Sequence, residues 1–203
     1  MGARALLRRA ALVAALGLAS VSAQDVSAQN PDDVERAWNA LRDDGAVLIV
    51  RHALAPGTAD PPGFRLDDCS TQRNLSAEGR LQAERLGALV RARGVRVTKV
   101  MSSPWCRAIE TVRLMGFNDI EVSNALWNLV HNPPDREAKI ADFRGLIRNW
   151  RGPGVLLLST HGITVQTVTG GAAYPPAGGS IVVRPDPESQ LGFRVVGLIP
   201  PPE

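Results

Sequence analysis

The sequence is poor in aromatic residues and in histidine, and it has no cluster of basic residues. Aromatic side chains make up 4% of the 203 residues, so the core has to be built from Leu, Val, Ile and Ala. The chain has three histidines and two cysteines, and neither cysteine lies at metal-ligand spacing from a histidine. The absence of a Lys/Arg run argues against a nucleic-acid-binding protein. The length suits one well-buried domain.

The N-terminal segment has the pattern of a secretory signal peptide. Three arginines precede an apolar run over 10–18, and Val21-Ser22-Ala23 forms a small-residue cleavage site. This apolar run is too short to span a bilayer. We predict a signal peptide over 1–23, with cleavage at Ala28 as the alternative, and a single domain over 24–203.

Export has consequences for charge and for the cysteines. The 1–23 segment holds three of the 23 basic residues and none of the 20 acidic ones, so the remaining chain has 20 of each. The predicted location is the periplasm or the medium. An oxidising compartment permits a disulfide between Cys69 and Cys106. Two free, partly buried thiols are the alternative.

Short apolar strands alternate with amphipathic helices along the chain. This alternation predicts an α/β fold, a three-layer α/β/α sandwich with a mostly parallel central sheet. A long Pro/Gly-rich loop over 53–74 follows the first strand, and the last two strands are expected to pair antiparallel at one edge. The predicted strands cover 46–50, 95–103, 120–122, 154–160, 180–185 and 191–199, and the predicted helices cover 30–45, 76–94, 104–116, 135–150 and 163–170.

Polar residues follow three of the apolar strands. The first strand ends in Arg51-His52, the second in Ser102-Ser103-Pro104 with Arg107 one turn later, and the fourth in Thr160-His161-Gly162. Because ligands of open parallel sheets bind beyond the carboxyl ends of the strands, these residues are expected on one rim. Two arginines and two histidines there would form an anion pocket, since guanidinium groups match phosphate oxygens. A histidine with one neutral ring nitrogen could attack phosphorus in such a pocket.

Four sequence elements in this order resemble the histidine phosphatase superfamily, which has the phosphoglycerate mutase-like fold, and we take its small exported branch as the nearest match. Arg51-His52-Ala53 is similar to the Arg-His-Gly signature of that family. The other three elements are LSAEGRLQA (75–83), SSPWCRAIET (102–111) and STHG (159–162). The resemblance covers residues 46–170.

The resemblance implies a role for each residue of the predicted pocket. His52 would be the nucleophile that becomes phosphorylated. Arg51 and Arg107 would bind the phosphoryl oxygens, and His161 would stabilise the transferring group. No metal or other cofactor is implied, because these side chains supply the positive charge. The alternative for Arg107 is a surface ion pair with Glu110.

Two departures from the family pattern stand out. Ala53 replaces the usual glycine. The glutamate that one branch places in a Leu-x-Glu element is Asn128 here, and the His-Asp of the other branch is His161-Gly162. The candidates for a general acid are therefore Glu121, Asp135 and Asp68. The second phosphate-contacting residue is open among Asp67, Asp68, Thr71, Gln72, Arg73 and Asn74.

The pattern favours an exported, metal-independent phosphatase that hydrolyses phosphomonoesters through a phosphohistidine. Its substrate would be a small phosphorylated molecule such as a sugar phosphate or an envelope lipopolysaccharide phosphate, with no nucleic acid and no stable membrane span. A non-catalytic module that binds phosphate or a phosphorylated ligand is the alternative. A metal-dependent phosphoesterase that uses His52 and His161 is disfavoured by the lack of a His/Asp cluster at ligand spacing.

Overall fold

A computed structural model describes residues 30–203. The predicted signal peptide over 1–23 lies outside the described residues. Within them, the order of helices and strands follows the sequence prediction, and most elements are shorter than predicted at their ends. The helices are α1 (Pro31–Ala40), α2 (Ala77–Ala92), α3 (Cys106–Leu114), α4 (Arg136–Arg148) and α5 (Gly162–Val168), and the strands are β1 (Val47–Arg51), β2 (Val97–Ser102), β3 (Glu121–Val122), β4 (Val155–Thr160), β5 (Ser180–Pro185) and β6 (Phe193–Ile199).

The strands form one mixed sheet in the order β3-β2-β4-β1-β5-β6. Strands β1 to β4 run parallel, whereas β5 and β6 are antiparallel to their neighbours. Arg51 at the end of β1 is paired with Thr160 at the end of β4, and Ser102 at the end of β2 is paired with Ser159. This register brings the ends of three strands to one edge of the sheet.

Helices cover both faces of the sheet, which confirms the three-layer prediction. Side chains of α1, α2 and α3, such as Trp38, Leu86 and Val112, pack against one face. Side chains of α4 and α5, such as Phe143 and Val165, pack against the other. The central strand β1 is buried on both faces over its first four residues, as its continuous apolar run predicts.

The beginning of α2 is fixed against the loop that follows β1. The Ser76 side chain accepts a hydrogen bond of 2.9 Å from the Gly79 amide and so caps the helix. A Cβ atom on Gly79 would lie 2.0 Å from the backbone oxygen of Leu54. The glycine therefore permits a close approach that holds the segment after His52 in place. No helix within 30–203 is long and apolar enough to cross a membrane.

Candidate active site

The two histidines that follow β1 and β4 lie side by side at the edge of the sheet. The His52 amide donates a hydrogen bond to the Thr160 carbonyl oxygen (2.9 Å), which continues the pairing of the two strands by one residue. The imidazole rings of His52 and His161 have centroids 5.3 Å apart and meet edge to face. Both residues are 3% exposed. The sheet register therefore brings together two residues that are distant in sequence.

The hydrogen bonding of His52 fixes the tautomer of its ring. The Nδ1 atom lies 2.8 Å from the backbone oxygen of Ala53. A carbonyl oxygen only accepts, so Nδ1 carries the proton and Nε2 carries the lone pair. Burial, followed by the charges of Arg107, Arg73 and Arg51, lowers the pKa of His52 to about 3, although the Ala53 hydrogen bond acts in the opposite direction. The ring is thus neutral at physiological pH.

His161 is held by a residue of the second strand end. Its Nε2 atom lies 2.8 Å from the Ser103 hydroxyl. Burial, followed by the charges of His52 and Arg107, lowers the pKa of His161 well below its ordinary value. The sequence places Ser103 in the polar signal after β2, and the structure shows what that hydroxyl contacts.

Arg51 extends from the end of β1 along the first turn of α5. Its Nη1 atom donates a hydrogen bond to the Pro175 backbone oxygen (3.0 Å), and its guanidinium carbon lies 5.2 Å from the centre of the Tyr174 ring. A Cβ atom on Gly162 would lie 3.1 Å from the guanidinium carbon. The glycine of the STHG element therefore leaves the space that the Arg51 side chain fills.

Arg107 is buried and paired with a carboxylate that the sequence analysis did not single out. Nη1 and Nη2 of Arg107 donate to the two carboxylate oxygens of Asp60, at 2.7 and 3.2 Å, and both side chains are 1% exposed. Arg107 is not a surface residue paired with Glu110, because Glu110 pairs with Arg80 at 2.7 Å. The alternative raised for Arg107 from the sequence is therefore wrong.

Asp60 is bonded to four residues, and it was missed from sequence because a lone aspartate in a Pro/Gly-rich loop carries no pattern. Besides Arg107, its oxygens accept from the Arg73 amide (3.0 Å) and from Nε1 of Trp105 (3.1 Å), and they lie 3.2 Å from Nε2 of His131. Burial acts to raise the pKa of Asp60, but the Arg107 hydrogen bond and charge outweigh it and lower this pKa to about 2.

Arg73 supplies a third guanidinium beside His52. Its Nη1 atom donates to the backbone oxygens of Ala55 (2.7 Å) and Gly57 (3.2 Å). Burial, followed by the charge of Arg107, lowers the pKa of Arg73. Among the six residues left open from the sequence, this is the one that lines the cavity containing His52.

The cavity beside His52 has a volume of about 370 Å³. Its polar lining includes Arg51, His52, Arg73, Asn128 and His161, and its apolar lining includes Leu54, Val130, Ile163 and Tyr174. Arg107 does not line it and is buried in its pair with Asp60. The arrangement provides positive charge around the neutral ring of His52.

The three acid candidates lie elsewhere. Glu121 pairs with Lys99, Asp135 with Lys139 and Asp68 with Arg65, at 3.0, 3.0 and 2.6 Å. None of the three carboxylates lines the cavity, nor does any other acidic side chain of the described part of the chain. Asn128, 5% exposed, is the residue of the Leu-x-Glu position that does line it. None of the three is therefore placed to protonate a leaving group in this cavity.

Unpaired polar atoms concentrate around His52. Seven buried side-chain nitrogen or oxygen atoms lack a hydrogen-bond partner within 30–203. Four of the seven belong to this site: the Nε atoms of Arg51, Arg73 and Arg107 and the Nδ1 atom of His161. Buried polar groups are usually hydrogen-bonded, so this concentration of nitrogen atoms is typical of a site for an anion. No group of three or more potential metal-ligating side chains occurs in the same part of the chain.

A disulfide joins the loop to α3. Cys69 and Cys106 are bonded, with Cα atoms 5.7 Å apart. Cys106 directly precedes Arg107 in sequence, so the bond ties Arg107 to the loop that carries Asp60 and Arg73. Of the two alternatives for the cysteines, the structure has the disulfide.

Comparison with known families agrees with the resemblance carried by Arg51-His52-Ala53. Residues 47–127 match the sequence profile of the histidine phosphatase superfamily (branch 1). Among curated protein sequences, none matches this chain. The matched segment includes the first strand, the loop and α3.

Solved structures with the same fold are distant in sequence. The protein histidine phosphatase SixA, complexed with tungstate, is 19% identical, with a TM-score of 0.56 over 77% of this chain and 97% of that one. The product of open reading frame Rv3214 from Mycobacterium tuberculosis is 16% identical, with a TM-score of 0.58 over 77% and 97%. A mycobacterial glucosyl-3-phosphoglycerate phosphatase is 14% identical, with a TM-score of 0.52 over 74% and 96%.

Proposed function

We propose that this chain, whose residues 47–127 match the histidine phosphatase superfamily, hydrolyses phosphomonoesters through a phosphohistidine intermediate on His52. The observation that carries the proposal is the tautomer of His52. With Nδ1 bound to the Ala53 oxygen, the lone pair of Nε2 is available in a cavity lined by guanidinium groups.

The first chemical step forms a bond between Nε2 of His52 and phosphorus. The bond between phosphorus and the ester oxygen breaks, and the leaving group takes its electron pair and then a proton from water. Arg51, Arg73 and His161 line the cavity and would bind the phosphoryl oxygens, and Arg107, which does not line it, would add its positive charge. Phosphoryl transfer needs mainly such positioning and charge stabilisation.

In the second step, the oxygen of a water molecule bonds to phosphorus as the phosphorus–nitrogen bond breaks, and Nε2 recovers its lone pair. The attacking water releases a proton, which neutralises the hydroxide left by the first step, and inorganic phosphate leaves. The Nδ1–H bond to Ala53 persists through both steps, so the ring keeps one orientation. No step in this sequence requires a metal ion.

A phosphate-binding module without turnover is the second candidate, favoured by one observation. No acidic side chain of the described residues lines the cavity, so no carboxyl group is at hand to protonate a leaving group. A leaving group with a low pKa needs little protonation, and therefore we rank the phosphatase first.

The test is hydrolysis of p-nitrophenyl phosphate by the purified protein and by His52→Asn, with and without a chelator. We expect turnover by the wild type, loss of at least about a thousandfold in the variant, and no effect of the chelator. Asn keeps a side-chain N–H that can donate to the Ala53 oxygen. Absence of turnover at every pH, together with binding of tungstate or vanadate, would favour the binding module.

We also propose that the protein is exported to the periplasm or the medium and acts there on a small phosphorylated molecule, such as a sugar phosphate or an envelope lipopolysaccharide phosphate. The N-terminal pattern over 1–23 and the Cys69–Cys106 disulfide support export. Fractionation of cells producing the full chain tests the location. Recovery of an uncleaved chain with free thiols from the cytoplasm would contradict it.

A further inference from the structure

Asp60 lies in the irregular loop between β1 and α2, yet its carboxylate is as deeply buried as the residues of the core. Its side chain is 1% exposed. Five hydrogen-bond contacts reach its two oxygens, from Arg107 (twice), Arg73, Trp105 and His131. A carboxylate buried in this way is costly unless every contact is well made.

Three of the five contacts of Asp60 come from arginine residues of the site. Two of the five go to the guanidinium of Arg107, and a third comes from the backbone amide of Arg73. A carbonyl oxygen of Arg73 also accepts from Nη1 of Arg107 at 3.1 Å. Asp60 therefore fixes Arg107 against the segment that carries Arg73.

The site holds three positive charges close together, and Asp60 balances one of them. Arg51, Arg73 and Arg107 all act on His52 as positive charges, and neighbouring like charges repel one another. Asp60 is the one carboxylate among described residues that pairs with any of the three. It offsets one of the three charges and leaves two to face the cavity.

We propose that Asp60 is a positioning residue for phosphoryl transfer, which holds the Arg107 guanidinium in the orientation that serves the transition state and, by offsetting its charge, weakens the attraction of the pocket for free phosphate. The proposal rests on the phosphatase activity proposed above. Asp60 itself does not line the cavity and touches no reacting atom.

Asp60→Asn separates positioning from a merely structural function. The variant removes one negative charge, so the pocket becomes more positive while Arg107 loses its bidentate partner. We expect kcat for p-nitrophenyl phosphate to fall by about tenfold or more, while the inhibition constant for inorganic phosphate stays equal or decreases. A loop that had simply loosened would weaken phosphate binding in parallel with kcat.

Asp67→Asn is the matched control, because Asp67 lies in the same loop with a side chain that is 86% exposed. Its kcat and phosphate inhibition are expected to match the wild type. An Asp60→Asn enzyme with wild-type kcat would overturn the proposal. So would a rise in the phosphate inhibition constant that parallels the loss of kcat.

A second comparison covers the case in which Asp60→Asn does not fold, since it leaves the Arg107 charge buried without its counter-ion. In that case the double variant Asp60→Asn/Arg107→Gln is compared with the single variant Arg107→Gln, since both lack the Arg107 charge. We expect kcat to change by less than about threefold, because the pair acts as one unit. A further tenfold loss in that background would contradict the proposal. If the wild type itself shows no turnover, the proposed function fails and this inference fails with it; an active wild type isolates the question of Asp60.

Discussion

The Nδ1 atom of His52 donates a hydrogen bond of 2.8 Å to the backbone oxygen of the next residue, Ala53. This contact sets which ring nitrogen is free, and it requires no side chain from another part of the protein. The Ala53 amide in turn donates to the Thr111 hydroxyl on α3 at 3.0 Å. The orientation of the His52 ring is therefore tied to the backbone after β1 and to the helix that carries Arg107.

The lowered pKa of His52 predicts a dependence of stability on pH. In the folded protein the His52 ring takes up a second proton with a pKa of about 3, whereas in the unfolded chain this pKa is about 6.5. The unfolded state therefore binds more protons between these values, so the free energy of unfolding rises with pH there. We expect stability to be lost as pH falls from about 6.5 towards 3, measured by chemical denaturation at a series of pH values.

The control for this prediction is His52→Asn, whose side chain at position 52 does not titrate between pH 3 and 6.5. Its stability should fall less steeply on acidification, with a residual slope from His161, whose pKa is also lowered. An identical slope in both proteins would mean that His52 titrates alike in the folded and unfolded states.

Gly162→Ala should lower activity without unfolding the protein. The new Cβ atom would lie 3.0 Å from the Tyr174 ring and 3.1 Å from the Arg51 guanidinium, so the Arg51 side chain has to shift. We expect kcat/KM to fall by about tenfold, since small displacements of a positioning group have large effects. Steady-state kinetics and a melting curve would measure both properties.

Gly145→Ala is the matched control for this substitution. Gly145 lies within α4, and a Cβ atom there meets nothing within 4 Å. Alanine favours helix over glycine by about 1 kcal/mol, so this variant should be at least as stable as the wild type and fully active. Equal activity of the two variants would show that the space at Gly162 is not needed by Arg51.

Strand-end residues were predictable from sequence because the backbone fixes their position. Arg51, His52 and His161 follow buried strands, and parallel pairing alone brings them to one edge. Asp60 was not predictable, because its bond to Arg107 spans 47 residues through a loop without regular structure. The helical spacing that suggested a pair between Arg107 and Glu110 concerns residues of a single helix. The actual partner of Arg107 is Asp60, which comes from the loop after β1.

Loss of the disulfide should destabilise the protein. The bond between Cys69 and Cys106 closes a loop of 37 residues in sequence separation. Restriction of the unfolded chain by such a loop contributes about 2 to 4 kcal/mol. We expect the free energy of unfolding to fall by this amount in Cys69→Ser/Cys106→Ser, measured by urea denaturation. The wild type in reductant should approach the double variant, which should itself be insensitive to reductant; an unchanged midpoint in both would contradict the prediction.

Aryl phosphates should be hydrolysed faster than alkyl phosphates, because the cavity has Asn128 where one branch of the family has a glutamate. A phenolate leaves without prior protonation more readily than an alkoxide. We therefore expect Asn128→Glu to raise the ratio of alkyl to aryl turnover by about tenfold, measured with glycerol phosphate and p-nitrophenyl phosphate.

Asn128→Gln is the control of equal length without an acidic group. It should leave the ratio as in the wild type, so that a gain confined to the glutamate variant reports on proton donation. Equal wild-type rates on alkyl and aryl substrates would contradict the account of the missing acid.

The most direct measurement is to trap the covalent intermediate and map it. The protein is mixed with a ³²P-labelled aryl phosphate, quenched within the first turnover under alkaline conditions that preserve phosphohistidine, and digested for mass spectrometry. We predict one label per molecule, on Nε2 of His52, and none in His52→Asn. A label on His161, or turnover with no labelled histidine, would contradict the proposed mechanism.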